Sequence, residues 1–524
     1  MKKFYLPLLI LLFSVHVHAN TIRLQQEENR VTLLENRQDH VILEYTISQF
    51  ETTTLFIDGK EYQQLQLEKN SNLFIKGDPA LPYISRSIII PDNKGVSIAI
   101  VEQQFEDLQM AVAPSKGIIY RDQDPASVPC EFSPVYQTNE LYPSAQTELG
   151  DPYILRDFRG VNIKVFPFRY NPVKEQLRVC TRMVIRIDFE GKAGKNVKVR
   201  KDDKINIHFK PIYRNHFANF DETRYPTVGE SGRMLVICHP GFMTDIAPYI
   251  QWKLEKGIQT DLVDVSAIGT TTTAILNFIQ GEYNLGNGLT FVQFVGDDAQ
   301  IPTFTYSGGG SDPTYSLLDG SDDYPDIIVG RFSAETSAEV QTQVERTVHY
   351  ERDLSWGSWL HEGTGIASEQ GAGVGWNGLA DWEHMDVLRT RLLNFNYTLI
   401  DQFYGNNGAT ATDVTNALNT GRGILNYCGH GGTGGWATTG FNSTHVNNLT
   451  NDYMLPFIHS VACVNGNFTG TTCFAEDWLR ATNGGDPTGG VAMYASSINQ
   501  SWAPPMVAQD YSIQHLVDVD YYTL

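Results

Sequence analysis

The sequence predicts an all-β domain followed by two tandem doubly wound α/β units, on three observations. From Thr21 to about Phe220, apolar and polar residues alternate in short runs broken by proline, glycine and asparagine, the pattern of an antiparallel sandwich or barrel. From Met234 onward, buried strand-like runs alternate with helical periodicity. Between them lies a polar, proline-marked stretch, Asn219-Phe-Asp-Glu-Thr-Arg-Tyr-Pro226, of the kind that separates domains and admits proteases.

The chain opens on Lys2-Lys3, an apolar run from Phe4 to Val15, and Val17-His-Ala19, an A-x-A-like cleavage signal. Residues 1–19 therefore read as a secretory signal peptide, too short to span a membrane, and no later run reaches the ~18 apolar residues that a spanning helix needs. A secreted or cell-surface protein with no membrane span is expected. The formal net charge of −21 argues against nucleic acid as a partner. Six cysteines are few for an exported chain of 524 residues, so a disulfide scaffold is not expected, although Cys130 and Cys180 could pair.

In the β-rich part, runs such as Val41-Ile-Leu-Glu-Tyr45, Val96-Ser-Ile-Ala-Ile100 and Met183-Val-Ile-Arg-Ile-Asp-Phe189 read as strands and carry no catalytic constellation. In the first α/β unit, strands are expected at Met234–Cys238, Thr260–Val265, Leu289–Gly296 and Asp326–Phe332. Helices are expected at Thr244–Glu255, Thr271–Tyr283 and Ala338–Leu354. The second unit runs from Gly363 to Ala495. Gly371-x-Gly-x-Gly375 lacks the spacing of a phosphate-binding loop.

Chemistry concentrates between Gly423 and Phe468. Ile424–Cys428 and Leu455–Ala462 read as buried strands, and the first delivers His430 and the second Cys463, 33 residues later. Catalytic groups gather at the carboxyl ends of parallel strands, and a thiol needs a nearby base to become the thiolate, so the two are candidate partners. His459 lies only four residues before Cys463, about 13 Å away along the same strand. Cys473 opens a helical pattern and suits a small buried hydrophobe. Glycines on both sides of His430 leave room for a substrate carbonyl to approach backbone N–H groups.

Asn426-Tyr-Cys-Gly-His-Gly431, Thr444-His-Val446, Leu449-Thr-Asn451, Leu455-Pro-Phe-Ile458, Val461-Ala-Cys-Val-Asn-Gly466, Cys473-Phe-Ala-Glu476 and Ser497-Ile-Asn-Gln-Ser-Trp502 together resemble the gingipains, secreted bacterial cysteine endopeptidases of caspase-like fold. The resemblance runs in order from about Tyr225 to Asp510. It implies a signal peptide at 1–19, a β-rich inhibitory prosegment at 20–224, and a caspase-like peptidase domain at 225–524 that ends earlier than the family's catalytic domains do. Arg224-Tyr225 falls on the family's maturation point. Cys463 and His430 fall on its catalytic positions, with the N–H groups of Cys463 and Gly431 as oxyanion donors.

The resemblance also implies an acid that orients the histidine, within Ile366-Ala-Ser-Glu-Gln370. Glu369 is the candidate, with Gln370 beside it as the residue that alignment could place there instead. Asp381 matches the aspartate at the pocket base of arginine-specific members, although alone it would pass as a carboxylate at a helix start. A buried carboxylate takes the guanidinium fork in two parallel bonds. Trp502, Met506 and Gln500 are expected to line that pocket.

Cleavage after basic residues, arginine preferred, is the activity implied, with peptides as substrates and the prosegment as inhibitor. No cofactor is expected for catalysis. The family's calcium binding makes structural Ca²⁺ an expectation, at Asp297, Asp298, Asp312, Asp319, Asp322 and Asp323, although their spacing fits no EF-hand and solvated turns compete. The alternatives are a sortase-like transpeptidase of the same superfamily and a catalytically silent adhesin.

Overall fold

A computed structural model describes residues 20–199, 204–227 and 232–517, so the signal-peptide expectation at 1–19 lies outside the described residues. No helix among the described residues is long and apolar enough to cross a membrane.

The N-terminal domain is antiparallel throughout its three sheets, as the short alternating runs require. Two five-stranded sheets face a core of Leu43, Tyr45, Ile88, Ile163, Phe168 and Ile185, drawn from both. The longest pair, Gly95–Gln109 with Gln176–Glu190, is bulged between Cys180 and Arg182. Burial alternates along the second of these strands, while the first is exposed along most of its length, an edge protected by charged side chains. All six cysteines are free thiols, so Cys130 and Cys180 do not pair.

The first α/β unit holds four parallel strands in the order Gln259–Asp264, Arg233–Cys238, Leu289–Val295, Ile328–Phe332. Strict alternation in the central strand sends Leu235 and Ile237 to one apolar cluster, with Ile275 and Ile279 of helix Thr272–Asn284. Met234, Val236 and Cys238 go to the other, with Val340 and Val344 of helix Ser337–Arg352. A capping box of Thr336 and Glu339 starts that helix. The helix expected from Thr244 begins later, at Ala247, because a 3-10 turn at Pro240–Phe242 precedes it and Pro248 fits only a first helical turn.

The second unit is a five-stranded parallel sheet in the order Leu399–Tyr404, Glu362–Ala367, Ile424–Cys428, Phe457–Val461, Ala492–Tyr494. Chain order reverses between Glu362–Ala367 and Ile424–Cys428, which opens the crevice where such sheets bind ligands. The two units are tied by Arg346, which is buried and donates to the carbonyls of Trp478 at 2.7 Å and Ala481 at 3.2 Å. The N-terminal domain docks on the first unit through buried Arg156, whose backbone N–H donates to Asp326 Oδ1 at 3.0 Å and whose Nη2 donates to the Leu289 carbonyl at 3.0 Å.

Candidate active site

Parallel register aligns Cys428 with Val461 at the ends of neighbouring strands. His430 and Cys463 each follow two residues later, so they emerge side by side above the same sheet edge. The loops carrying them touch: a Cβ at Gly431 would lie 2.8 Å from Ala462 Cβ and 3.1 Å from the Asn465 amide. Glycine is required there by close packing of the two loops, a second reason beside the room it leaves for substrate. Asn465 staples them, donating from Nδ2 to the Gly432 carbonyl at 2.5 Å.

Cys463 is 3% exposed, and its sulfur accepts the Gln500 N–H at 3.4 Å. Burial pushes the thiol up; the Gln500 N–H partly offsets this, and Asp122 adds to the rise. Sγ makes no hydrogen bond to His430 among the described residues. His430 Nε2 lies 2.6 Å from Gln370 Oε1. An amide oxygen can only accept, so Nε2 carries hydrogen. Gln370, not Glu369, thus occupies the orienting position, and Glu369 is exposed, because consecutive residues beyond a strand end point different ways. His459 is buried against Tyr494 and pushed down to about 4 by burial. Cys473 is the buried cap of helix Phe474–Arg480.

Asp381 opens helix Asp381–Phe395 and is fully buried. Its Oδ2 accepts the Ser368 hydroxyl at 2.6 Å and its Oδ1 the Cys428 thiol at 3.2 Å. Burial pushes that thiol well up, so it stays a donor. Gly371 makes room for Trp502 beside the carboxylate: its φ is +93°, and a Cβ there would meet Trp502 Cζ3 at 2.7 Å and Asp381 Oδ1 at 3.6 Å. Met506 is fully buried in the apolar cluster with Trp376 and Met385, its sulfur accepting the Trp376 N–H at 3.5 Å.

This pocket is filled by an arginine from the chain's own N-terminal domain. Arg121 Nη1 donates to Asp381 Oδ2 and Nη2 to Oδ1, both at 3.0 Å, and its guanidinium lies 4.5 Å from the Trp502 ring. Burial alone would depress the guanidinium, but Asp381 outweighs it and holds the group above the ordinary arginine range. The backbone on either side pairs as an added antiparallel strand: Tyr120 bridges Ser501, Arg121 N–H donates to the Gln500 carbonyl at 2.7 Å, and Trp502 N–H to the Ile119 carbonyl at 3.2 Å. Asn499 holds the following residue, donating to Asp122 Oδ2 at 2.9 Å. Sequence reasoning missed Arg121, Cys428 and Ser368. The one available signal for Arg121 was indirect, since an inhibitory domain over an arginine pocket needs a plug.

Three of the six aspartates that the resemblance offers to calcium hold partners within the protein. Asp312 pairs with Arg331 at 2.7 Å, Asp297 accepts from Ser333 and Arg480, and Asp322 accepts the N–H groups of Ile154 and Tyr324. Among the described residues no three His, Cys, Asp or Glu side chains group so as to hold a metal ion.

A family model described as Peptidase family C25 matches residues 227–520, and one described as Propeptide_C25 matches residues 20–227. Gingipain R2 of Porphyromonas gingivalis is 36% identical over 489 residues, covering 92% of this chain. The chain spans 66% of that relative's length. Two solved structures superpose at a TM-score of 0.54 with 40% identity over 55% of this chain. They are a complex of Porphyromonas gingivalis RgpB pro- and mature domains, 70% covered, and the Arg-specific cysteine proteinase gingipain R (RGPB), 67% covered.

Proposed function

Since the chain belongs to peptidase family C25, with that family's propeptide before it, we propose that it is the exported precursor of a cysteine endopeptidase that hydrolyses peptide bonds after arginine and is held inactive by its own N-terminal domain. Its catalytic region has the caspase-like fold. The observation that carries the proposal is Arg121 seated with both terminal nitrogens on Asp381, in a strand paired as a substrate would pair. Two parallel bonds to one carboxylate fit a guanidinium and not an ammonium.

In the proposed reaction a substrate arginine replaces Arg121, and departure of the prosegment lets His430 close on Cys463. Gln370 fixes the tautomer with Nε2–H, so Nδ1 takes the thiol proton. The thiolate attacks the carbonyl carbon of the P1 arginine, the residue before the scissile bond, and the N–H groups of Cys463 and Gly431 receive the oxyanion. The proton on His430 passes to the leaving amine as the C–N bond breaks. Water then attacks the thioester, His430 takes its proton, and the thiolate leaves. Every step uses side chains and N–H groups of this chain.

Release by cutting at Arg224-Tyr225 is part of the proposal. Arg224 is exposed on a 3-10 turn, which supports access, while the Tyr225 ring packs 4.7 Å from Phe158, so the segment has to loosen first. The basic, apolar and small-residue order of residues 1–19 supports export. The test is a peptide library differing only at P1, offered to the processed form. Cleavage after arginine at least about tenfold better than after lysine, lost in Asp381→Asn, is expected, since stranding one member of a buried ion pair costs about 3–5 kcal/mol. Equal use of uncharged P1 residues would defeat the proposal, and peptide joining in place of hydrolysis with an added amine would favour a transpeptidase.

A further inference from the structure

The floor of the arginine pocket is built by a group outside the dyad and outside the carboxylate. Cys428 ends the central strand Ile424–Cys428 and is fully buried. Its sulfur has two polar neighbours at once: the thiol hydrogen goes to Asp381 Oδ1 at 3.2 Å, and a sulfur lone pair faces Arg121 Nη2 at 3.4 Å. Ser368 supplies the matching donor on the other oxygen, at 2.6 Å from Oδ2. Each carboxylate oxygen therefore has one hydrogen bond from the protein and one from the guanidinium.

From this arrangement we propose that Cys428 is a specificity-determining residue, whose thiol orients Asp381 and contacts the substrate guanidinium so that arginine is accepted over lysine. The proposal rests on the cleavage after arginine put forward above. Two protein donors, one per oxygen, stop the carboxylate from turning about its bond. In that fixed plane the remaining lone pairs are parallel and match a fork of two N–H groups. A lysine ammonium is one nitrogen and does best with a carboxylate free to turn toward it. The second N–H of Nη2 is shared between the sulfur at 3.4 Å and the Trp502 carbonyl at 3.3 Å, and a lysine offers no second nitrogen for them. Burial keeps the thiol protonated, so its direction as donor to Asp381 is set.

The experiment measures kcat and KM of the processed enzyme on two peptides that differ only in arginine or lysine at P1, for the wild type, Cys428→Ala, Cys428→Val and Cys428→Ser. Alanine and valine remove the donor, and valine also fills the space, so one reports if the other fails to fold. Serine keeps a donor. The expected result is a loss of about tenfold in kcat/KM for arginine in the first two, the scale of one hydrogen bond to a charged group. Lysine cleavage should change less than about twofold on the same scale, and Cys428→Ser should stay within about threefold of wild type. Equal losses on both peptides, or no loss on arginine, would overturn the proposal, because a packing role moves both alike. If the wild type itself shows no preference for arginine, the proposed function fails first, and that outcome is read before any variant is made.

Discussion

Gln370 holds the His430 ring through an amide oxygen, and this fixes which ring nitrogen carries hydrogen. Gln370→Leu leaves the ring unheld and should lower kcat by about tenfold, the scale of one hydrogen bond, with KM changed less than about twofold. An unchanged kcat in steady-state kinetics would mean that this side chain does not hold the ring during turnover. At this scale the sequence was half legible. Glycine-flanked His430 and Cys463 announce themselves by residue type and strand position, whereas Glu369-Gln370 offers two plausible partners that only the direction of the chain beyond Ala367 separates.

The turn that presents Cys463 is strained. Val464 follows Cys463 with φ +50°, a left-handed conformation that a β-branched residue rarely adopts, and its N–H donates to the Ile498 carbonyl at 3.2 Å. Such a residue costs about 1–2 kcal/mol. Val464→Gly should relieve this, and after the added freedom of the unfolded chain the net change should be near zero to about 1 kcal/mol stabilising. Thermal melting checks the stability, and kcat should fall severalfold as the turn loosens its hold on the thiol. A loss of more than about 1 kcal/mol would show that valine packing outweighs the strain. Element types and order were readable from periodicity in the first unit, and in the second the strand Leu399–Tyr404 and helix Ala411–Asn419 were not read. The helix Ala503–Val517, which contributes Met506 and Ile513 to the core, was not read either, because its sequence has no sharp apolar stripe.

Across the whole molecule, the N-terminal domain is anchored at Arg156 on the first unit and reaches the second through Arg121. On the proposed function the plug accounts for inactivity and the anchor for retention, so they separate by mutation. Arg121→Ala in the uncut precursor should leave the domain attached but raise basal hydrolysis at least about tenfold, on the scale of losing a buried charge-assisted pair. Iodoacetamide offers a second readout. Burial pushes the Cys463 thiol up in the precursor, so its thiolate appears only as pH rises, and alkylation should be slow at neutral pH and climb toward alkaline pH. The Arg121→Ala precursor should alkylate faster at neutral pH. Matched rates in both would mean that the domain shields the sulfur without help from the arginine.

The sequence by itself determined the layered β and α/β classes and the two strand ends that carry the sulfur and the imidazole, because those depend on local periodicity and residue chemistry; Asp381 was marked only by the family resemblance, since locally it is an ordinary carboxylate at a helix start. Tertiary structure alone decided which neighbour of the dyad holds the ring, which donors lock Asp381, and that an arginine 260 positions earlier fills the pocket. These are contacts between segments far apart in the chain, and no local pattern encodes a direction or a distance across a folded interface.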